Sequence, residues 1–157
     1  MKEQVIGIGE ARTVTHGEIL VTYALGSCIG ICLWDEDKRF GAMAHVVLPT
    51  QKTNGTQTTY KYVETAIPAL IETMLKKGSM RHHIIAKIAG GAEMFPPINE
   101  EWRIGNQNIT LTKNLLRKEH IPIKGEDTGK HHGRTIRFHT DNGALEVHSI
   151  RHGVMVI

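Results

Sequence analysis

Two residues in this chain have the types and placement needed for nucleophilic chemistry. Cys28 ends the segment Leu25-Gly26-Ser27-Cys28, where small neighbours leave a thiol accessible at the end of an apolar run. His45 lies in the apolar segment Gly41-Ala42-Met43-Ala44-His45. If Asp35-Glu36-Asp37-Lys38 is a four-residue hairpin loop, Trp34 faces Arg39 and, stepping outward, Cys28 faces His45. Directly opposed residues on antiparallel strands hold their Cβ atoms about 4.5–5.5 Å apart on one face, close enough to couple a thiol to an imidazole. A slip of one residue would turn one of the two to the other face. The alternatives are a buried, inert cysteine and a histidine satisfied within the core.

The remaining reactive types are weaker signals. Cys28 and Cys32 are too far apart for a disulfide on an extended strand, since four residues span about 13 Å and a disulfide needs Cα atoms within about 7 Å. The pairs His82-His83 and His131-His132 would point to opposite faces of a strand, and no metal-binding motif accompanies them. No metal and no cofactor is expected. Gly7-Ile8-Gly9 resembles the start of a dinucleotide loop, but Arg12 occupies the position of the third glycine. Gly90-Gly91 follows an apolar run and reads as a tight turn. With Ser27, these two glycines are the candidates to contact a substrate or present N–H groups to an oxyanion.

The elements that must position these residues read as strands at residues 5–8, 19–23, 29–34 and 40–48, closed by Pro49. Residues 50–59 are a polar loop containing Asn54-Gly55. Apolar residues at Val63, Ala66, Ile67, Leu70, Ile71, Met74 and Leu75 predict a helix through Pro68 that stops at Gly78. A buried strand over 84–89, a loop at Met94-Phe95-Pro96-Pro97, a helix over 106–120, and strands over 121–126, 135–139 and 144–150 follow, the last pair joined at Asp141-Asn142-Gly143. The pattern is one α+β domain, residues 1–157, with two main helices covering one face of mainly antiparallel strands.

Composition narrows the class. The chain has 157 residues, 40% hydrophobic and 22% charged, with a net charge of +3, values ordinary for a soluble domain. Basic residues are dispersed and only three Phe, two Trp and three Tyr are present, which argues against a nucleic-acid reader. No apolar run approaches about 18 residues, so neither membrane insertion nor a leader is expected, and the cytoplasm is the expected location.

Gly7-Ile8-Gly9-Glu10, Thr22, Leu25-Gly26-Ser27-Cys28, Gly41-Ala42-Met43-Ala44-His45 with Leu48-Pro49, Lys87-Ile88-Ala89-Gly90-Gly91-Ala92 and Ile104-Gly105-Asn106-Gln107-Asn108 occur in this order. In that order the chain resembles the CheD family of chemoreceptor glutamine deamidases, over residues 5–138. The resemblance implies a compact α/β sandwich similar to the catalytic domain of the cytotoxic necrotizing factor toxins. It implies hydrolysis of glutamine side chains on methyl-accepting chemotaxis receptors to glutamate and ammonia, with glutamyl methyl ester hydrolysis as a second activity. The family's triad falls on Cys28, His45 and Thr22, with a Cys28 thiolate held beside a His45 imidazolium. The resemblance also implies work at chemoreceptor arrays and a CheC-type phosphatase as partner, so a regulatory binding module is the alternative function. The chain departs from the family's paired glycines at Asp127-Thr128-Gly129-Lys130, and residues 151–157 have no assigned counterpart.

Overall fold

The structure, a computed structural model, describes residues 2–14, 17–51, 59–96 and 103–157. Most of the expected loop at 50–59, with Asn54-Gly55, lies outside the described residues, as does Pro97.

Ten strands and two α-helices are described: β1 (Glu3–Val5), β2 (Ala11–Val14), β3 (Ile19–Leu25), β4 (Ile29–Asp35), β5 (Phe40–Val46), α1 (Val63–Lys76), β6 (Ile84–Gly90), α2 (Ile104–Lys118), β7 (Ile123–Thr128), β8 (Arg134–His139), β9 (Leu145–Ser149) and β10 (Gly153–Val156). They form two sheets, in the orders β1-β3-β8-β9-β10 and β2-β5-β4-β6-β7. All pairings are antiparallel except β1 with β3 and β6 with β7. The α+β class read from the sequence is the observed one.

Strand periodicity sorts β4, β5 and β6 into two faces. Ile29, Ile31, Leu33, Ala42, Ala44, Ala86 and Ile88 pack against Ala66, Ile67, Leu70 and Met74 of α1 and Leu116 of α2. Cys32, Met43 and Ala89 point the other way and meet Leu20, Leu25, Ile136, Phe138 and Leu145 of the first sheet. The helices therefore cover one face of the central sheet and the first sheet covers the other. Each fully buried Leu, Ile or Phe side chain contributes about 1.5–3 kcal/mol, which makes these two interfaces the main stabilising term.

Helix α1 runs through Pro68, whose residue is exposed. It ends as expected, with Gly78 at φ 107° and the bonds Gly78 N–H to Leu75 O (3.0 Å) and Ser79 N–H to Met74 O (3.1 Å) that close a Schellman motif.

Two expectations are corrected and one open segment is filled in. The first strand lies at Glu3–Val5, not 5–8, and Ala11–Val14 forms an additional strand that the sequence pattern did not single out. The tail at 151–157 is structured: β10 pairs with β9, and the main chains of Leu145 and Ile157 exchange hydrogen bonds of 2.9 and 3.0 Å. Third, the β4–β5 hairpin turns one residue later than read, because Asp35 belongs to the strand and faces Phe40. Its carboxylate accepts the N–H groups of Asp37 and Lys38, both at 2.8 Å, and Arg39 closes the turn at φ 56°. An Asx-type acceptor at the strand end thus fixes a turn of residues 36–39.

Candidate active site

The one-residue change in the turn moves the register by two. Trp34 faces Gly41, and His45 faces Gly30, not Cys28. A shift of two preserves the face, so Cys28 and His45 remain on the inner side as diagonal neighbours, a relation still within reach of long side chains. Gly30 keeps that inner surface low: a Cβ there would meet Ile136 Cδ1 at 2.5 Å.

His45 is wholly buried. Its Nδ1 lies 2.7 Å from Thr22 Oγ1, and the Thr22 hydroxyl donates to Ile6 O, also at 2.7 Å. Because the hydroxyl proton is committed to that carbonyl, Thr22 Oγ1 is left to accept, and His45 Nδ1 carries the ring proton. The lone pair then resides on Nε2, which has no hydrogen-bond partner. The backbone is equally fixed: His45 N–H donates to Glu10 O at 3.0 Å and Gly9 N–H to His45 O at 2.9 Å. Gly7 N–H in turn donates to Glu10 Oε1 at 2.8 Å. The Gly7-Ile8-Gly9-Glu10 turn, with no dinucleotide function in this setting, clamps the histidine.

Thr22 faces inward by alternation with Leu20, and β3 then carries a bulge between Thr22 and Leu25. Ala24 sits in it at φ 58°, and the extra residue lets both Thr22 and Leu25 face inward. The chain then makes the turn at Gly26-Ser27 that delivers Cys28.

Three consecutive carbonyls of that turn are hydrogen-bonded. Ala92 N–H donates to Gly26 O at 2.8 Å, Gly91 N–H to Cys28 O at 2.8 Å, and Asn108 Nδ2 to Ser27 O at 2.8 Å. Gly91 N–H, expected as an oxyanion donor, is therefore committed to the Cys28 carbonyl. The physical reason is close approach: a Cβ on Gly90, at φ 111°, would meet Cys28 O at 2.4 Å, and one on Gly91 would meet Ile109 Cγ1 at the same distance. The glycine pair shapes the Cys28 turn and seats α2 against it. Ser27 is half-buried in the turn, and its carbonyl is the atom held by Asn108.

Burial dominates the electrostatics of Cys28 and His45. Burial pushes the Cys28 thiol up, with its own backbone N–H the only opposing influence, and burial pushes His45 down. Neither group has a charged partner to offset desolvation, so burial favours the neutral form of each. Cys32 is fully buried between Met43 and Lys87, its thiol driven far up, and is chemically inert.

The histidine pairs lie elsewhere. His82 and His83 occupy the turn before β6, and His132 packs its ring 4.6 Å from that of His152. Among the described residues no group of three His, Cys, Asp or Glu converges as a metal site. Sequence reasoning missed Asn108 and the Glu10 carboxylate. A polar residue in the buried helical series Gly105, Asn108, Thr112, Leu116 was the available signal for the first.

A cysteine on a tight turn, a buried histidine oriented by a hydroxyl, and a three-layer α+β sandwich define the class of a thiol–imidazole protein. Comparison with known proteins carries this further. A family model described as CheD chemotactic sensory transduction matches residues 47–149. Proteins named probable chemoreceptor glutamine deamidase CheD from Caldanaerobacter subterraneus subsp. tengcongensis and Archaeoglobus fulgidus are 41% and 42% identical to this chain. The alignments cover 97% and 99% of it, and 96% and 98% of the respective relatives. A protein of the same name from Clostridium novyi is 41% identical over 156 residues. The chain belongs to the CheD family.

Proposed function

We propose that this protein hydrolyses glutamine side chains of chemotaxis receptors to glutamate, releasing ammonia, with Cys28 as nucleophile, His45 as base and Thr22 as the group that orients it. The observation that carries this is the bond from His45 Nδ1 to Thr22 Oγ1, which leaves the lone pair on a buried, unpartnered Nε2 of a residue paired with Gly30, two positions from Cys28. Family membership supplies the substrate class.

Burial favours the neutral form of both groups, which sets the order of events. As substrate binds, His45 Nε2 takes the Sγ proton while Sγ bonds to the glutamine Cδ, giving a tetrahedral oxyanion. The imidazolium then donates that proton to the departing nitrogen, the C–N bond breaks, and ammonia leaves a Cys28 thioester. Water attacks the thioester as His45 accepts one of its protons; collapse returns the proton to sulfur and frees glutamate. A neutral Thr22 stabilises the transient imidazolium less than a carboxylate would, which suits a slow, regulatory reaction.

The same thioester route serves glutamyl methyl esters, with methanol as the leaving group. A CheC-type phosphatase fits the Cys28 side as a competing partner: Met94 packs over Gly26, its Cγ 3.4 Å from a Cβ position there, and Phe95 is 83% exposed. The family reading also carries the toxin-like fold and a cytoplasmic location at receptor arrays. No helix among the described residues is long and apolar enough to cross a membrane.

Incubation of a purified receptor cytoplasmic fragment with this protein tests the reading. Mass spectrometry is expected to show glutamine-to-glutamate conversion at defined positions together with released ammonia. An unmodified fragment after prolonged incubation would overturn it.

A further inference from the structure

The β4–β5 ladder stops at Ile29 opposite Val46, one residue short of the nucleophile. Beyond that rung the two strands part, because each turns its main chain to another neighbour. Val47 N–H donates to Lys61 O at 2.9 Å, while Cys28 O accepts from Gly91 at 2.8 Å. The carbonyls of Ser27 and Val47 are left with no main-chain donor between them. A single side chain supplies both bonds: Asn108 Nδ2 donates to Ser27 O at 2.8 Å and to Val47 O at 3.0 Å. Ser27 precedes the nucleophile directly, and Val47 lies two residues beyond the base.

We propose that Asn108 is a positioning residue, a side-chain rung that sets the separation of Cys28 from His45 where the main-chain ladder ends. The inference rests on the roles proposed for those two residues.

The amide suits this position. Its NH2 group offers two donors in one plane, and two facing carbonyls accept both, so the orientation of the amide is settled by its partners. Asn108 is wholly buried, and its Oδ1 has no hydrogen-bond partner. A buried acceptor left unpaired is destabilising. The amide is therefore poorly explained as packing alone, for which an apolar side chain of the same size would serve better. Helix α2 brings it in at a fixed height: Gly105 packs on the backbone of Gly91 and Ala92, where a Cβ would meet Ala92 O at 2.3 Å. The segment that holds Cys28 O and Gly26 O thus also anchors the helix that holds Ser27 O. All three restraints on the nucleophile turn belong to one rigid unit.

The test replaces Asn108 with Ala, Leu or Ser and measures kcat and KM separately on a receptor fragment, with folding checked by near-ultraviolet circular dichroism. Ala and Leu are expected to lower kcat by about 10- to 100-fold, the effect of misplacing reacting groups by up to about an ångström, with KM held within about twofold. Ser keeps one donor and is expected to fall between them and the wild type. Leu restores the volume that Ala removes, so recovery of kcat by Leu would assign Asn108 to packing and overturn the proposal. Unchanged kcat in folded variants, or a loss confined to KM, would do the same. Should the Ala and Leu proteins not fold, the Ser variant and the wild-type side-chain amides decide. The Asn108 NH2 protons are expected to exchange with solvent far more slowly than those of exposed Asn106, and equal exchange would overturn the rung. Deamidation retained by a Cys28→Ala protein would instead refute the proposed site itself, leaving a distinguishable result.

Discussion

Replacing Thr22 with Val removes one oxygen and leaves the side-chain shape nearly unchanged. That oxygen lies 2.7 Å from Ile6 O and 2.7 Å from His45 Nδ1, and all three residues are buried. The substitution strands one buried carbonyl and one buried N–H, at about 1–3 kcal/mol each, so a loss of roughly 2–6 kcal/mol is expected. For a domain of this size that corresponds to a fall in Tm of about 4–24 °C. The catalytic effect has a separate origin. Without an acceptor at Nδ1 the ring proton redistributes between the two nitrogens and the imidazole loses its fixed orientation, which is expected to lower kcat by about 10- to 100-fold. Thr22→Ser keeps the oxygen and is expected to retain kcat within about threefold, losing about 1 kcal/mol for the missing methyl. Ammonia release at a temperature well below both melting transitions measures the catalytic part. A Val variant with near wild-type kcat would refute the idea that Thr22 holds the tautomer.

Further expectations concern pH, backbone strain and the glycine pair. His45 is held below 6.5, so its basic form persists into mildly acid solution. The kcat/KM profile is expected to keep its plateau below pH 6.5, and iodoacetamide labelling of Cys28 to rise only above the ordinary thiol value of 9.0; rapid labelling at pH 6 would restore the ion pair. The same depression means that the unfolded chain binds the His45 proton more readily, so stability from this group is present above pH 6.5 and declines as pH falls below it. Ala24→Gly relieves a φ of 58° in the β3 bulge and is expected to raise stability by up to about 1 kcal/mol, since alanine is disfavoured there; a lower Tm would contradict this. Gly90→Ala forces a methyl to 2.4 Å from Cys28 O. It is expected to cost about 1–3 kcal/mol and most of the activity, and a fully active, equally stable protein would refute the close-approach account.

Strand arithmetic in the sequence placed Cys28 and His45 on one face, although the register was two residues away from the one observed. Periodicity protected the conclusion, because a shift of two leaves both side chains on one face. The cause of the shift, Asp35 accepting the turn amides as a strand residue, is a side-chain bond that polar composition alone does not reveal. Helix α1 and its glycine stop were legible because they depend on local spacing. Strands β2 and β10 were not: each is only four residues long, and β2 owes its form to β5, far away in sequence, while β10 folds back on the adjacent β9. Gly90-Gly91 was read as a tight turn, which it is, but the direction of its N–H groups depends on packing against Cys28 and α2. Burial of the site, which favours the neutral forms of Cys28 and His45, is likewise a property of the assembled layers.

The most direct measurement compares ammonia release from a receptor fragment by the wild type, Cys28→Ala and Cys32→Ala proteins. Acid quenching of the wild-type reaction, followed by mass analysis, locates any acyl adduct. The account predicts no release by Cys28→Ala, near wild-type release by Cys32→Ala, and a glutamyl adduct on the peptide containing Cys28. Continued release by a folded Cys28→Ala protein, or an adduct on another residue, would contradict it.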